Sequence, residues 1–284
     1  FRSDFYIAIA NEGKAENIMR TFSPPLDIIP AEKMYHSLNT ASKNSPGIGI
    51  TTLYDLLSDV LHEGVEATVP GVSVQGSNQG NGQGNEQESK SNIESMKQME
   101  TITFRGMAAF KKDKMVGWLD EEETAGMNFF RNKVKKSLSF GTVSCRKGKI
   151  AFETDDAKTK VRAKIAGGRP VFDVRVLLNE RVSDASCEID IMNRDVLREL
   201  EKKRGQQIEG WMRKSLAKAQ NEFRSDILGL GDVLHHQYPR MWSRLKADWD
   251  EVFADVTVNI HVDVHIRHPG STTKPLTLDI REGA

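Results

Sequence analysis

Near the end of the chain His261, Asp263 and His265 alternate with apolar residues, so an extended backbone would point all three to one side. Imidazole and carboxylate together suit zinc, and a metal-dependent hydrolase is the enzyme this trio would allow. Same-face neighbours on a flat strand lie about 6.5 to 7 Å apart, however, while each ligand must come within about 2 Å of one ion. The spacing therefore fits a solvated sheet face better. His235 and His236 are adjacent and would diverge on a helix. The run His62-Glu63-Gly64-Val65-Glu66 opens like a zinc-protease helix but carries Glu66 where a second histidine is required. Gly80, Gly82 and Gly84 are spaced like a phosphate cradle, yet no strand pattern leads into them and no helical pattern follows. Asp120, Glu121, Glu122 and Glu123 gather carboxylates at a helix start, where they complement the positive end of the dipole. No nucleophile elbow, P-loop or dinucleotide fingerprint accompanies them, so the expectation is a protein without catalytic residues, cofactor or metal.

What remains is electrostatic. Lys158, Lys160, Arg162 and Lys164 alternate with Thr159, Val161, Ala163 and Ile165, which sets four cations in a row on one strand face. Such a row attracts polyanions. The competing reading is that the lysines guard a sheet edge and meet Glu153 and Asp155 on a preceding strand. The chain of 284 residues has no net charge, but residues 1–100 carry 7 basic and 13 acidic side chains against 33 and 27 in the rest. Residues 131–181 hold 14 basic and 5 acidic side chains, an excess that favours anionic membrane headgroups or an acidic protein surface. Nucleic acid is disfavoured, because no aromatic residues interleave with the cations. A stand-alone polyanion- or glycan-binding module is the alternative in this class.

Cys145 and Cys187 are the only thiols, too few for a zinc ribbon or a disulfide-dense scaffold. They leave two readings, a single bridge or two half-buried side chains in neighbouring strands.

The elements that must carry these groups fall on either side of a polar stretch. Residues 5–10 (FYIAIA) read as a strand, 14–22 as a helix ended by Pro24 and Pro25, and Pro30 opens a second helix. Thr51 or Thr52 caps a third, in which Leu53, Leu56, Leu57, Val60 and Leu61 form an apolar face. Residues 72–98 have little apolar content and read as a flexible linker. Beyond them strands are expected near 101–111, 114–118, 137–145, 148–155, 158–166 and 170–182, joined by short turns as in an antiparallel sheet. A helix over 193–223 presents Leu197, Leu200, Ile208, Trp211, Met212, Leu216, Ala219 and Phe223 at helical spacing, and 241–253 forms another. The strict alternation of 256–266 makes a last strand. The fold class is α+β, with a partial N-terminal domain over 1–71, the linker, a larger C-terminal domain over 99–276 whose antiparallel sheet is covered by long helices, and a tail over 277–284.

The stretch 104–126, FRGMAAFKKDKMVGWLDEEETAG, combines two strands, a charged turn and a capped helix. It resembles the opening of the C-terminal domain in the Ger(x)C family, the lipoprotein C subunits of bacterial spore germinant receptors. Gly106, Phe110, Lys111, Gly117, Trp118, Glu123 and Gly126 carry the resemblance. Residues 158–161 (KTKV), 256–276 and 5–38 are similar to further parts of that family. The resemblance implies a non-enzymatic, extracytoplasmic receptor subunit on the outer face of the spore inner membrane, lipid-anchored in full length. It also implies work with two membrane-spanning partners, the A and B subunits, in the response to nutrients. No signal peptide, lipid-accepting cysteine or opening strands precede Phe1, so the chain reads as a fragment. Interaction surfaces are expected at 158–164 and on exposed parts of 104–126.

Overall fold

The computed structural model describes residues 3–20, 30–75, 101–138, 140–145, 148–187 and 189–267. Pro24 and Pro25, Gly80 to Gly84, most of the expected linker and the tail lie outside them.

The first sheet has the order β1-β2-β3-β4, built from Ile9–Ala10, Thr68–Gln75, Thr101–Lys111 and Lys114–Leu119. β1 runs parallel to β2, and the other pairs are antiparallel. The boundary expected at 71/72 thus falls inside β2, which pairs with a strand from the far side of the polar stretch. Helices α1 (Ala15–Arg20) and α2 (Pro30–Asn44) pack on this sheet, with Ile18, Leu38, Val72 and Phe104 as a small core. Of the two threonines that could cap α3 (Leu53–Leu61), Thr52 does so, in a reciprocal box with Asp55. The apolar face of α3 is not buried: Tyr54, Leu57, Val60 and Leu61 are exposed.

The second sheet has the order β5-β6-β7-β8: Thr142–Cys145, Gly148–Ala166, Arg169–Ala185 and Thr257–Arg267. Two expectations change here. The strands read as 148–155 and 158–166 are one strand, β6, bent by a bulge between Thr154 and Asp156. The sheet is also mixed rather than antiparallel, because β8 joins β7 in parallel, from Val171 opposite Thr257 to Arg181 opposite Arg267. A parallel return needs a long crossover, and helices fill it.

Those helices are α5 (Arg194–Ala217), α6 (Leu230–Gln237), α7 (Pro239–Leu245) and α8 (Trp249–Asp255). α5 lays Leu200, Ile208, Trp211, Met212 and Leu216 into a core shared with Phe152, Phe172, Val174, Val176 and Leu178 of the sheet. Each such side chain removed from water contributes about 1.5–3 kcal/mol. α5 continues into a π-helical turn, Lys218–Phe223, whose Gln220 amide donates to the carbonyls of Phe253 and Val256. Inside the core, Arg204 of α5 forms a fully buried ion pair with Glu180 of β7, and Thr154 donates to the same carboxylate.

Both sheets share this core, since Met107, Ala109 and Leu119 of the first belong to it. Arg131, after helix α4 (Glu121–Phe130), donates to the carbonyls of Ile227 and Glu66 and pairs with Asp59 of α3. Asp226 is the second junction. Its carboxylate accepts the main-chain N–H groups of Leu228, Gly229, Leu230 and Gly231 and the indole N–H of Trp249. Burial pushes that carboxyl up, and the donors oppose the shift.

Cys145 and Cys187 are joined in a disulfide, with Cα atoms 6.4 Å apart, that ties the end of β5 to the segment after β7. Of the two readings open in the sequence, the structure takes the bridge.

Candidate interaction surface

The residues of the 104–126 stretch are held by packing. Gly106 sits in β3 at φ +63°, and a Cβ there would lie 2.1 Å from the carbonyl oxygen of Leu119, so only glycine fits. The main chain of Phe110 bonds to Ala67 and its carbonyl accepts from Ser225. Lys111 reaches the carbonyl of Arg224 and the carboxylate of Asp250, both at 3.0 Å. Gly117 leaves room for the ring of Phe223, and half-buried Trp118 lies over Gly71 of β2. Asp120 and Glu123 form the capping box of α4 that their spacing predicts, and Lys218 adds an ion pair to Glu123. Gly126 faces the carbonyl of Trp211 across the α4/α5 contact. At the surface the stretch presents the β3–β4 turn, Lys112, Asp113 and Lys114, followed by exposed Met115 and Val116, and separately Arg105, Asp120 and Glu121.

Lys158, Lys160, Arg162 and Lys164 are all exposed on one face of β6, alternating with Ala157, Thr159, Val161 and Ala163, which point inward. Register sets their neighbours. Lys158 lies opposite Leu177, Lys160 opposite Arg175, Arg162 opposite Asp173 and Lys164 opposite Val171. Arg175 in turn lies opposite His261, so Lys160, Arg175 and His261 form one cross-strand row of basic side chains. Directly opposed like charges oppose pairing.

The carboxylates expected to neutralise the row do not. Glu153 and Asp155 belong to the same strand as the lysines and pair instead with Arg181 of β7. Asp173 is engaged by Lys164 and accepts from Asn259, and these contacts hold its carboxyl below the usual range. Among the described residues Lys158, Lys160, Arg162 and Arg175 have no ion-pair partner. Edge protection is also supplied by other means: Gln237 accepts from the N–H of Ala163 and donates to the carbonyl of Val161, while Asn132 accepts from the N–H of Thr159. These amides stand in for a further strand.

His261 and Asp263 meet, with Nε2 and Oδ1 2.9 Å apart, while His265 lies farther along β8 opposite Asn179. Among the described residues no three His, Cys, Asp or Glu side chains are grouped to hold an ion. His62 contacts Asp232 at 3.1 Å, and Glu63 pairs with Lys246. The zinc-protease-like run is thereby tied into contacts with α6 and the 3-10 turn Lys246–Asp248.

Two mixed sheets, helices across one face of the second, and residues of the 104–126 stretch spent on close packing define an α+β protein whose free chemistry is displayed on an open sheet face. Residues 105–270 match the family described as "Spore germination B3/GerAC like, C-terminal", and the chain belongs to that family. It is 22% identical over 278 residues to spore germination protein KC of Bacillus subtilis (strain 168), a match covering 97% of this chain and 66% of that protein. It is 27% identical over 167 residues to spore germination protein B3 of the same organism, covering 57% of this chain and 43% of the relative. The chain thus spans less than two thirds of these relatives. The crystal structure of the GerBC protein superposes with a TM-score of 0.60 at 20% identity, covering 91% of this chain and 67% of that one, and shares the fold.

Proposed function

We propose that this chain serves spore germination as part of a germinant-receptor C subunit, and that it works by contact rather than by turnover. The observation that carries the reading is that glycines and charged residues of the 104–126 stretch hold two sheets and α5 together, leaving the β3–β4 turn and the largely unpaired basic face of β6 as presented surfaces. The relatives named for germination support the process. The disulfide supports an oxidising, extracytoplasmic compartment, in keeping with the outer face of the spore inner membrane and a lipid anchor on the full-length protein. The partners in this reading are the membrane-spanning A and B subunits, met through protein contacts at the β3–β4 turn. In this reading the stretches expected as domains, 1–71 and 99–276, are tied together by the β2–β3 pairing and by the Arg131–Asp59 ion pair.

A photo-crosslinking residue placed at Lys114 or Met115 of the full-length protein in spores tests this. Capture of the membrane-spanning subunits, with slowed nutrient germination when the turn is charge-reversed, is the expected result. Normal germination of spores lacking the protein would overturn it.

A further inference from the structure

The open face of the second sheet has a physical character that a structural role does not explain. Four long cations, Lys158, Lys160, Arg162 and Arg175, stand on two adjacent strands with no carboxylate partner among the described residues. Two of them are directly opposed, with His261 next in the row. Most nearby acids are committed elsewhere, Asp173 to Lys164 and Asn259, Asp263 to His261, and Glu153 and Asp155 to Arg181, while exposed Asp156, two residues before Lys158, makes no ion pair with the row. Guarding the strand edge is not their task either, because Gln237 and Asn132 already occupy it. A cluster of this kind gives up stability through self-repulsion until an external anion screens it.

The shape narrows the anion. β6 and β7 are 19 and 17 residues long, and their cations lie along a pleated face rather than around a hollow. The hairpin ends in a tip, Lys164, Ile165, Ala166, Gly167, Gly168 and Arg169, in which every residue is exposed and nothing approaches the two glycines within 4 Å. Apolar side chains lie nearby: Leu177, in register between Lys158 and Asp263 on the cation face, is 41% exposed, and Ile165, on the opposite face at the tip, is 36% exposed. A shaped acidic protein would need matching carboxylates at fixed positions. A bilayer needs only cations spread along a face and a few aliphatic groups to sink among its headgroups, since its own charges diffuse to meet them.

We propose that the β6–β7 hairpin is a membrane-docking element, its Ile165–Arg169 tip and the Lys158, Lys160, Arg162 and Arg175 face resting on the anionic lipid headgroups of a bilayer. This rests on the reading of the protein as a membrane-associated receptor subunit, and it deepens that reading by assigning the open sheet face to lipid.

The test is co-sedimentation of the chain with phosphatidylcholine vesicles and with mixed phosphatidylcholine–phosphatidylglycerol vesicles, at low and high salt. Parallel arms add inorganic phosphate or polyglutamate as competitor. Binding to the anionic vesicles alone, weakened by salt, is expected, with Lys160→Glu/Arg162→Glu lowering affinity about 30-fold or more, since each basic residue near such a surface contributes about 1 kcal/mol. The charge-matched change Arg198→Glu/Lys202→Glu on exposed positions of α5 should leave binding within about twofold, given that only residues close to the surface feel its field. Leu177→Asn should weaken binding without altering its salt dependence. Displacement by polyglutamate but not by phosphate at matched ionic strength is expected of a spread cationic face, whereas equal binding to both vesicle types, binding to neither, or displacement by phosphate at matched ionic strength would overturn the proposal. Capture of the A and B subunits at Lys114 or Met115 is scored separately, so failure on lipid leaves the receptor reading standing.

Discussion

Gly126 of α4 lies against the main chain of Trp211 in α5: a Cβ at this glycine would stand 2.3 Å from the Trp211 carbonyl oxygen and 2.9 Å from the Ser215 Cβ. The two helices can cross this closely only because one of them lacks a side chain there. Gly126→Ala forces α4 and α5 apart over the largest apolar side chains of the core and should cost about 1–3 kcal/mol. Gly210, also in α5, has nothing within 4 Å of its would-be Cβ, so Gly210→Ala should gain up to about 1 kcal/mol from helix propensity. Urea unfolding of the two variants side by side checks the contrast. Equal effects would show that the crossing is not set by the glycine.

Glu180 and Arg204 are both buried, bonded to each other through two nitrogens, with the guanidinium 5.0 Å above the Phe152 ring and 5.3 Å from that of Trp211. Arg204→Met strands a carboxylate in the core and should destabilise by about 3–5 kcal/mol. Adding Glu180→Leu removes the stranded charge, so the double variant should recover much of the loss. A double variant no more stable than the single one would mean that the pair acts through packing alone.

The Cys145–Cys187 bridge spans 42 residues of sequence and includes the whole β6–β7 hairpin in its loop. Closing a loop of that length stabilises by about 4 kcal/mol through the unfolded chain. Cys145→Ser/Cys187→Ser should lower the unfolding free energy by up to that amount, and dithiothreitol should do the same to the wild-type protein and nothing to the variant. An unchanged melting curve on reduction would contradict the assignment.

Asp226 accepts five N–H groups with no hydroxyl or amide of its own to offer. Asp226→Asn turns one acceptor oxygen into a donor facing donors, on either flip of the amide. The expected loss is about 2–4 kcal/mol, with altered Trp249 fluorescence in the folded state. Wild-type stability in this variant would show that burial keeps the native carboxyl protonated and bonded differently.

Faces were legible in the sequence and partners were not. The alternation in β8, the stripe of α5 and the Asp120/Glu123 cap each depend on local spacing, and each appears as the pattern requires, while a cap on α3 from Thr51 or Thr52 resolves to Thr52. Parallel pairing of β7 with β8 depends on where the helical crossover returns the chain, which no local pattern encodes. The same holds for the surface. That Lys158, Lys160, Arg162 and Lys164 share a face follows from their alternation, whereas the absence of an ion-pair partner for Lys158, Lys160 and Arg162 among the described residues follows from Glu153 and Asp155 lying on the same continuous strand and pairing with Arg181. Arg175 was missed because its importance comes only from lying opposite Lys160. The strand-like content of 72–75 is obscured by the polar residues after it, so the expected linker overlaps four residues of β2.

The parallel placement of β8 also fixes an order of events in synthesis. Val171 must wait for Thr257, so a nascent chain emerging from its N-terminus displays the hairpin's inner surface, with Phe172, Val174, Val176 and Leu178, well before the strand and helices that enclose it exist. Long-range closure of this kind is slow and invites sticking between unfinished copies. A protein built this way has reason to depend on a chaperone, and shortening it from the C-terminal end should yield aggregates rather than a smaller folded unit.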